Sequence, residues 1–221
     1  MTPDRYRPRM WHTDWMLLRE LARVIREETK TFLRPGQTMV DLGCGQMPYR
    51  RAIEEAGVIY RGADLDDSAD LKIAADGQVD LPDHSSDAVL SVQVLEHVRD
   101  LDSYCAEIRR LLNENGLLFL STHGTWLYHP HPEDHRRWTR SGLKHDLETR
   151  GFVVEDIIAM VGPLATTTVL RLTGYAFVLR KLPVAGPALA GALSILMNAR
   201  AWLEDKITPR QISADNACIY W

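Results

Sequence analysis

With 221 residues, 45% of them apolar, the chain can bury one substantial core and is short for two full domains. Thirty acidic against 26 basic side chains give a formal charge of −4, which supplies no basic field for a polyanion, so nucleic acid is not an expected partner. Cys44, Cys105 and Cys218 are odd in number and form no Cys-x-x-Cys pair, which argues for reduced thiols rather than a disulfide framework or a zinc site.

The first residues, Met1 to Trp11, are charged and carry prolines without an apolar signal core, so a cytoplasmic protein is expected. From Trp11 to Leu33 apolar residues recur at spacings of three and four (Trp11, Trp15, Leu18, Ala22, Ile25), flanked by Leu17, Leu21, Val24 and Phe32. That pattern predicts an amphipathic helix capped by Thr13 or Asp14 and stopped at Pro35 and Gly36. Met39-Val40-Asp41-Leu42 then reads as a short buried parallel strand, and Gly43-Cys44-Gly45 as a turn straight after it. Two glycines there let the backbone approach a ligand where a Cβ would collide. A helix over Pro48 to Ala56 and a second strand over Val58 to Ala63 follow, the strand ending at Asp64. An acid at that point of a βαβ unit is placed to accept hydrogen bonds from ribose hydroxyls, and Asp64 is read as that ligand, the alternative being that it caps the next turn beside Asp66 and Asp67.

Leu71 to Ala75 predicts a short third strand leading to the turn Asp76-Gly77, and Asp87 to Val92 a buried fourth strand. The fourth strand runs into Gln93-Val94-Leu95-Glu96-His97-Val98, at the end of the sheet where open α/β folds bind ligands, so Gln93 and Leu95 are expected near the ligand. His97 is a candidate base, or alternatively a structural residue of that turn. Leu101 to Leu112 predicts a helix stopped by Asn113 to Gly116, Leu117 to Thr122 a fifth strand, Thr139 to Arg150 a capped helix, and Phe152 to Ile158 a sixth strand.

The Asp-Leu-Gly-Cys-Gly turn, the Val-Leu-Glu-His-Val string and the Trp-Thr-x-x-Gly-Leu…Gly-Phe pattern occur in order over about residues 37 to 160. Together they resemble the class I S-adenosylmethionine-dependent methyltransferases, and most closely the bacterial type 11 branch. The resemblance implies a Rossmann-like α/β fold, a seven-stranded sheet in the order 3-2-1-4-5-7-6 with an antiparallel last strand, here matched by Asn216 to Trp221. It also implies S-adenosylmethionine as cofactor, held by Asp41, Gly43, Gly45, Asp64, Leu65, Asp76, Gly77, Gln93 and Leu95. Asp76 would accept the adenine amine, since a buried amine without an acceptor costs about 1–3 kcal/mol. The dinucleotide pattern Gly-x-Gly-x-x-Gly fails because Pro48 occupies the third position.

Between His123 and Trp138 fall four histidines, two tryptophans, a tyrosine and two acids. Three readings stand open. His129, His131, Glu133 and His135 could hold a metal, but prolines interrupt the run and no strong metal spacing is present, so none is expected. His123, Tyr128, His129 or His131 could position and deprotonate an acceptor while Trp126 forms a wall. Asp134, Arg136, Arg137 and Trp138 could form a salt-linked plug that holds the loop to the sheet. The catalytic candidates are therefore His97, His123 and His131, and the acceptor-binding candidates Trp15, Trp126, Tyr128 and His129, Trp15 because in the resembled family the first helix closes over the cofactor.

Residues 160–213 form an apolar insert between the sixth and seventh strands, with no charge from Leu182 to Ala199. Prolines and glycines weaken it as a spanning helix. It could meet the inner face of a membrane, pair with a second copy of the chain through residues 160–200, or wall a pocket. The expected organisation is one methyltransferase domain with residues 1–35 as a helical cover. The expected activity is O-methylation of a sugar or lipid-linked envelope precursor. The alternatives are a small apolar metabolite as acceptor, or an inactive fold that serves as a partner.

Overall fold

A computed structural model describes residues 5–131 and 133–221. Its central sheet runs β3 (Leu71–Lys72), β2 (Ile59–Asp64), β1 (Thr38–Leu42), β4 (Ser86–Val92), β5 (Leu112–His123), β7 (Ile219–Tyr220) and β6 (Ala159–Met160). The first five are parallel to one another, and β7 is antiparallel to both β5 and β6. This is the order 3-2-1-4-5-7-6 expected from the sequence.

β1 and β4 lie at the centre, so both of their faces are covered. Met39 of β1 and Ala88 and Leu90 of β4 point into a core that includes Met16, Leu17, Leu21, Val24 and Ile25 of helix α1 (Trp15–Phe32). Val40 and Leu42, alternating with them, meet Ile108 and Leu111 of α3 (Leu101–Leu111) on the opposite face. A strand buried on both sides must be apolar at every position but those with a built-in partner, which is why these runs read so clearly. Asp100 caps α3 by accepting from the amides of Asp102 and Ser103, and Thr139 caps α4 (Arg140–Glu148) through the Gly142 amide.

Several boundaries differ from the sequence reading. Trp11 precedes α1 and is exposed, and Asp14 occupies the cap position without a side-chain bond. α2 is confined to Arg50–Glu54. β5 begins at Leu112, and Asn113 to Gly116 is a bulge: Ser86 pairs with Leu112 and Ala88 with Leu117. The sixth strand is Ala159–Met160 instead of Phe152 to Ile158. Strand pairing needs a neighbour, and β7 supplies one only from Trp221 inward, where Ile158 and Trp221 exchange two hydrogen bonds of 2.9 Å.

Between β6 and β7 run α5 (Pro163–Leu179), α6 (Gly186–Ile207) and α7 (Arg210–Asp215). α5 and α6 pack as a hairpin through Leu172, Ala176, Ala190 and Met197. The hairpin is docked on the domain. Ala201 joins the main core, Asp205 accepts from the Gly162 amide at 2.6 Å, and the Asn198 amide group donates to the carbonyls of Met10 and His12 at 2.8 Å each. Its outer face leaves Tyr175, Phe177, Val178, Leu196 and Leu203 exposed. No helix among the described residues is long and apolar enough to cross a membrane.

Candidate functional site

The turn after β1 is built by two left-handed glycines, Gly43 at φ +75° and Gly45 at φ +53°. A Cβ on Gly43 would come within 2.5 Å of Val94 Cγ2, whereas the space over Gly45 is open to 4 Å. The Gly43 amide is tied to the Ala63 carbonyl at 2.8 Å. Asp64, at the end of β2, reaches across the turn: one carboxylate oxygen accepts from the Gly45 amide and the other from the Leu65 amide, both at 2.7 Å. Opposite, Gln93 is held at φ +57°, which for a residue with a Cβ costs about 1–2 kcal/mol and marks a backbone fixed by its surroundings. Its amide nitrogen donates to Ser121, and its amide oxygen has no protein partner.

Asp41 lies behind this turn. It is 2% exposed, and its carboxylate accepts from the Tyr60 hydroxyl at 2.5 Å. Burial pushes this carboxyl up to about 7, against the lowering effect of the Tyr60 bond. An aspartate in the unfolded chain ionises near about 3.9. From about pH 4 to about pH 7 the folded state therefore keeps a proton that the unfolded state has lost, so Asp41 makes stability fall as pH rises through that window and level off above it. Three pH units correspond to about 4 kcal/mol. Asp41→Asn is expected to remove that slope, and denaturant unfolding at about pH 4.5 and about pH 7.5 measures it. Equal slopes in both proteins would contradict the assignment.

After β5 the chain enters the histidine-rich loop. The His123 ring stacks on Trp126 with centroids 5.5 Å apart and planes at 9°. His129 meets the edges of His123, His97 and His131 at centroid distances of 5.1, 5.0 and 6.1 Å. The expected plug is present. Arg137 grips Asp134 through both guanidinium nitrogens, at 2.5 and 2.7 Å, and donates to the Leu127 carbonyl at 2.6 Å. Asp134 also accepts the His129 amide. Arg136 donates to the carbonyls of Val98 and Arg99, and the Trp138 indole donates to Asp146 at 2.8 Å. The side-chain bonds from Arg137 hold Asp134 well below the usual carboxylate range.

The glycine turn and the histidine cluster open on one cavity of about 620 Å³, within the range typical of small-molecule sites. Gly43, Gly45, Asp64, Leu65, Gly77 and Gln93 line one part of it, and His97, His123, Trp126, His129 and His131 another. Leu17, Leu18 and Leu21 of α1 add an apolar wall. Five expected residues do not line it. Leu95 is 1% exposed and packs in the core with Leu120 and Trp138, because the 3-10 turn Leu95–His97 rotates it inward. Trp15 packs beside the core under Arg19, since the helix phase presents Leu17, Leu18 and Leu21 instead. Tyr128 is 75% exposed. Asp76 accepts from the Gln78 amide as a turn residue, and Asp41 stands behind the glycines. Burial, with His129 and Arg137 adding to it, holds the His123 imidazole down to about 2. The neutral imidazole is thereby favoured.

Sequence reading missed Glu96. Its carboxylate is wholly buried, accepts from the Thr122 hydroxyl at 2.9 Å and faces His123 at 3.5 Å. The available signal was an acid set between apolar residues, Leu95 and Val98, at the exit of a buried strand.

A family model described as a methyltransferase domain matches residues 17–157. A protein of Mycolicibacterium smegmatis (strain ATCC 700084 / mc(2)155), named a "Probable S-adenosylmethionine-dependent methyltransferase", is 27% identical over 57% of this chain and 55% of its own length. The chain thus spans little more than half of that relative. Among solved structures, a SAM-dependent methyltransferase from Aquifex aeolicus aligns at TM-score 0.53 and 14% identity, over 62% of this chain and 82% of that one. Phosphoethanolamine N-methyltransferase 2 of Haemonchus contortus, in complex with S-adenosyl-L-methionine, aligns at 0.58 and 15%, over 96% and 55%. The [4+2]-cyclase SpnF aligns at 0.59 and 17%, over 92% and 80%. These likenesses show the fold, and the cyclase illustrates that the fold alone does not set the reaction.

Proposed function

This chain belongs to the methyltransferase-domain family of class I S-adenosylmethionine-dependent enzymes, and from that premise we propose that it methylates a hydroxyl of a sugar or lipid-linked envelope precursor. The observation that carries the reading is the shared cavity: the glycine turn with Asp64 and the histidine cluster with Trp126 face the same space. The residues present fit the cofactor. Open space over Gly45 admits a ligand against the main chain, Asp64 offers carboxylate oxygens for ribose hydroxyls, and the unpartnered amide oxygen of Gln93 suits an ammonium group. When bound, S-adenosylmethionine supplies an electrophilic methyl carbon whose bond to sulfur breaks as the acceptor oxygen attacks.

The chain's own residues orient and deprotonate. Holding two reactants in line is worth roughly 7–11 kcal/mol, and the walls formed by Trp126 and by Leu17, Leu18 and Leu21 restrict the acceptor's pose. His97 takes the acceptor's proton. Its Nδ1 lies 2.5 Å from the Glu133 carbonyl oxygen, which can only accept, so Nδ1 carries the hydrogen and Nε2 is the basic nitrogen. His131, on the cavity wall and exposed, orients the acceptor beside it. The exposed apolar face of α5 and α6 supports a lipid-linked acceptor, presented by peripheral contact at a membrane surface.

Calorimetric titration with S-adenosylmethionine, S-adenosylhomocysteine and NAD tests the cofactor site, followed by assay of sugar and lipid-linked alcohols for S-adenosylhomocysteine release. Micromolar binding of the two sulfur compounds, no heat with NAD and turnover with such an alcohol are expected. Absence of binding by either sulfur compound would overturn the reading, and turnover confined to small apolar metabolites would overturn the acceptor class.

A further inference from the structure

Two parts of the chain bring electron-pair donors together beside the cavity, which His123 and His129 line and behind which Glu96 is buried. Glu96 comes from the turn after β4, His123 from the end of β5, and His129 from the loop beyond it. One donor atom from each lies within 4.8 Å of the other two. Tetrahedral ligands about 2.0–2.2 Å from a common zinc ion stand about 3.3–3.6 Å apart, the separation that Glu96 Oε1 and His123 Nε2 already show at 3.5 Å, so the set closes by an inward shift of His129 of at most about 1.5 Å.

The polar accounting here is unfinished. Glu96 is wholly buried, its Oε1 has no hydrogen-bond partner, and among the described residues no lysine or arginine pairs with its carboxylate. The His123 side chain is 6% exposed, and its Nδ1 is likewise without a partner. Buried polar atoms are almost always satisfied, so an open carboxylate oxygen on Glu96 and an open Nδ1 on the His123 ring, whose Nε2 faces that carboxylate at 3.5 Å, leave room for a further partner. An acid stands near His129: its Nδ1 lies 3.5 Å from Asp134, whose carboxylate is fixed by Arg137, a position from which a carboxylate can hold a metal-bound imidazole. The Arg137 guanidinium, which can only donate, also reaches that nitrogen at 3.4 Å, so a metal on Nε2, which leaves the proton on Nδ1, exchanges this contact for Asp134.

We propose that Glu96, His123 and His129 form a binding site for one divalent transition-metal ion, zinc foremost, with a remaining coordination position facing the cavity beside His97 and His131. Two imidazoles and one carboxylate suit zinc, iron(II) or manganese(II) and do not suit magnesium or calcium, which take oxygen ligands. This set differs from the one considered in the sequence, since His135 and Glu133 pair with each other at the surface at 3.0 Å. The ion's use in methyl transfer rests on the function proposed above, where an oxygen donor of the acceptor would take the open position. Its binding does not rest on that function.

The test uses the full chain, stripped with a chelator and titrated with Zn2+, Co2+ and Mg2+, with metal content measured after gel filtration. About one equivalent of Zn2+ per chain, a four- or five-coordinate Co2+ absorption spectrum and no retained Mg2+ are expected. His129→Ala, a loop substitution, should lower zinc affinity at least about tenfold and erase the Co2+ spectrum, while His131→Ala keeps both. Glu96→Gln should do the same as His129→Ala where thermal melting confirms that it folds. Retention below a tenth of an equivalent, or unchanged binding in His129→Ala, would overturn the site. S-adenosylhomocysteine titrated into the same samples separates the two ideas: cofactor binding without zinc removes only the metal site, and zinc without cofactor removes only the methyl-transfer reading.

Discussion

Asp64→Ala is expected to weaken S-adenosylmethionine binding by about a hundredfold or more, measured by the same calorimetry. The carboxylate would lose two hydroxyl contacts of the charge-assisted kind, each worth about 1.5–3 kcal/mol. It would also release the Gly45 and Leu65 amides, which it holds at 2.7 Å, so the turn would lose its tie to β2. Asp64→Asn separates these contributions, because an amide can keep one backbone contact and one hydroxyl contact, and its affinity should fall between the two. Equal affinity in wild type and Asp64→Ala would mean that the acid only ties the turn, and the ribose assignment would fall.

Arg137→Ala is expected to cost about 3–5 kcal/mol of stability, because it strands the buried charge of Asp134. Asp134 is 2% exposed and Arg137 23%, so water reaches the acid poorly. In a domain of this size that loss lowers the melting temperature by about 10 °C. The acid's depressed pKa means that the pair's contribution is complete above the unfolded carboxylate range and is lost as pH falls through and below it. The difference between Arg137→Ala and wild type should therefore shrink in acid. A drop of less than about 2 °C near neutral pH would show that the Leu127, Arg136 and Trp138 contacts order the loop without the ion pair.

The parts of the fold legible in the sequence were those decided locally. β1 and β4 read as apolar runs because both faces are buried, and Gly43 and Gly45 announced a turn at whose first position Val94 leaves no room for a Cβ. β6 was misplaced because Phe152 to Ile158 has strand chemistry but no strand opposite, and pairing is settled by a segment about sixty residues later. The cavity wall was legible where backbone position decides it, as at Gln93 and His97. It failed where side-chain direction does. Trp15 and Leu95 sit beside the site in sequence, and helix phase and a 3-10 turn face them elsewhere. The meeting of Glu96, His123 and His129 depends on the return path that Arg136 and Arg137 impose, which no spacing in the sequence encodes.

β7 comes after α5, α6 and α7 in the chain yet slots between β5 and β6, and its neighbour Cys218 accepts the amides of Gly124 and Thr125 at the root of the histidine loop. A Cβ on Gly124 would lie 2.5 Å from the Ala217 carbonyl oxygen, so the fit there is close. During synthesis the loop leaves the ribosome long before the segment that anchors it. The half of the sheet from β3 to β5 is built from earlier, sequence-adjacent units and can form first, whereas the histidine loop waits for the longest-range pairing in the sheet. In the order of folding, the histidine side of the cavity is the last to be assembled.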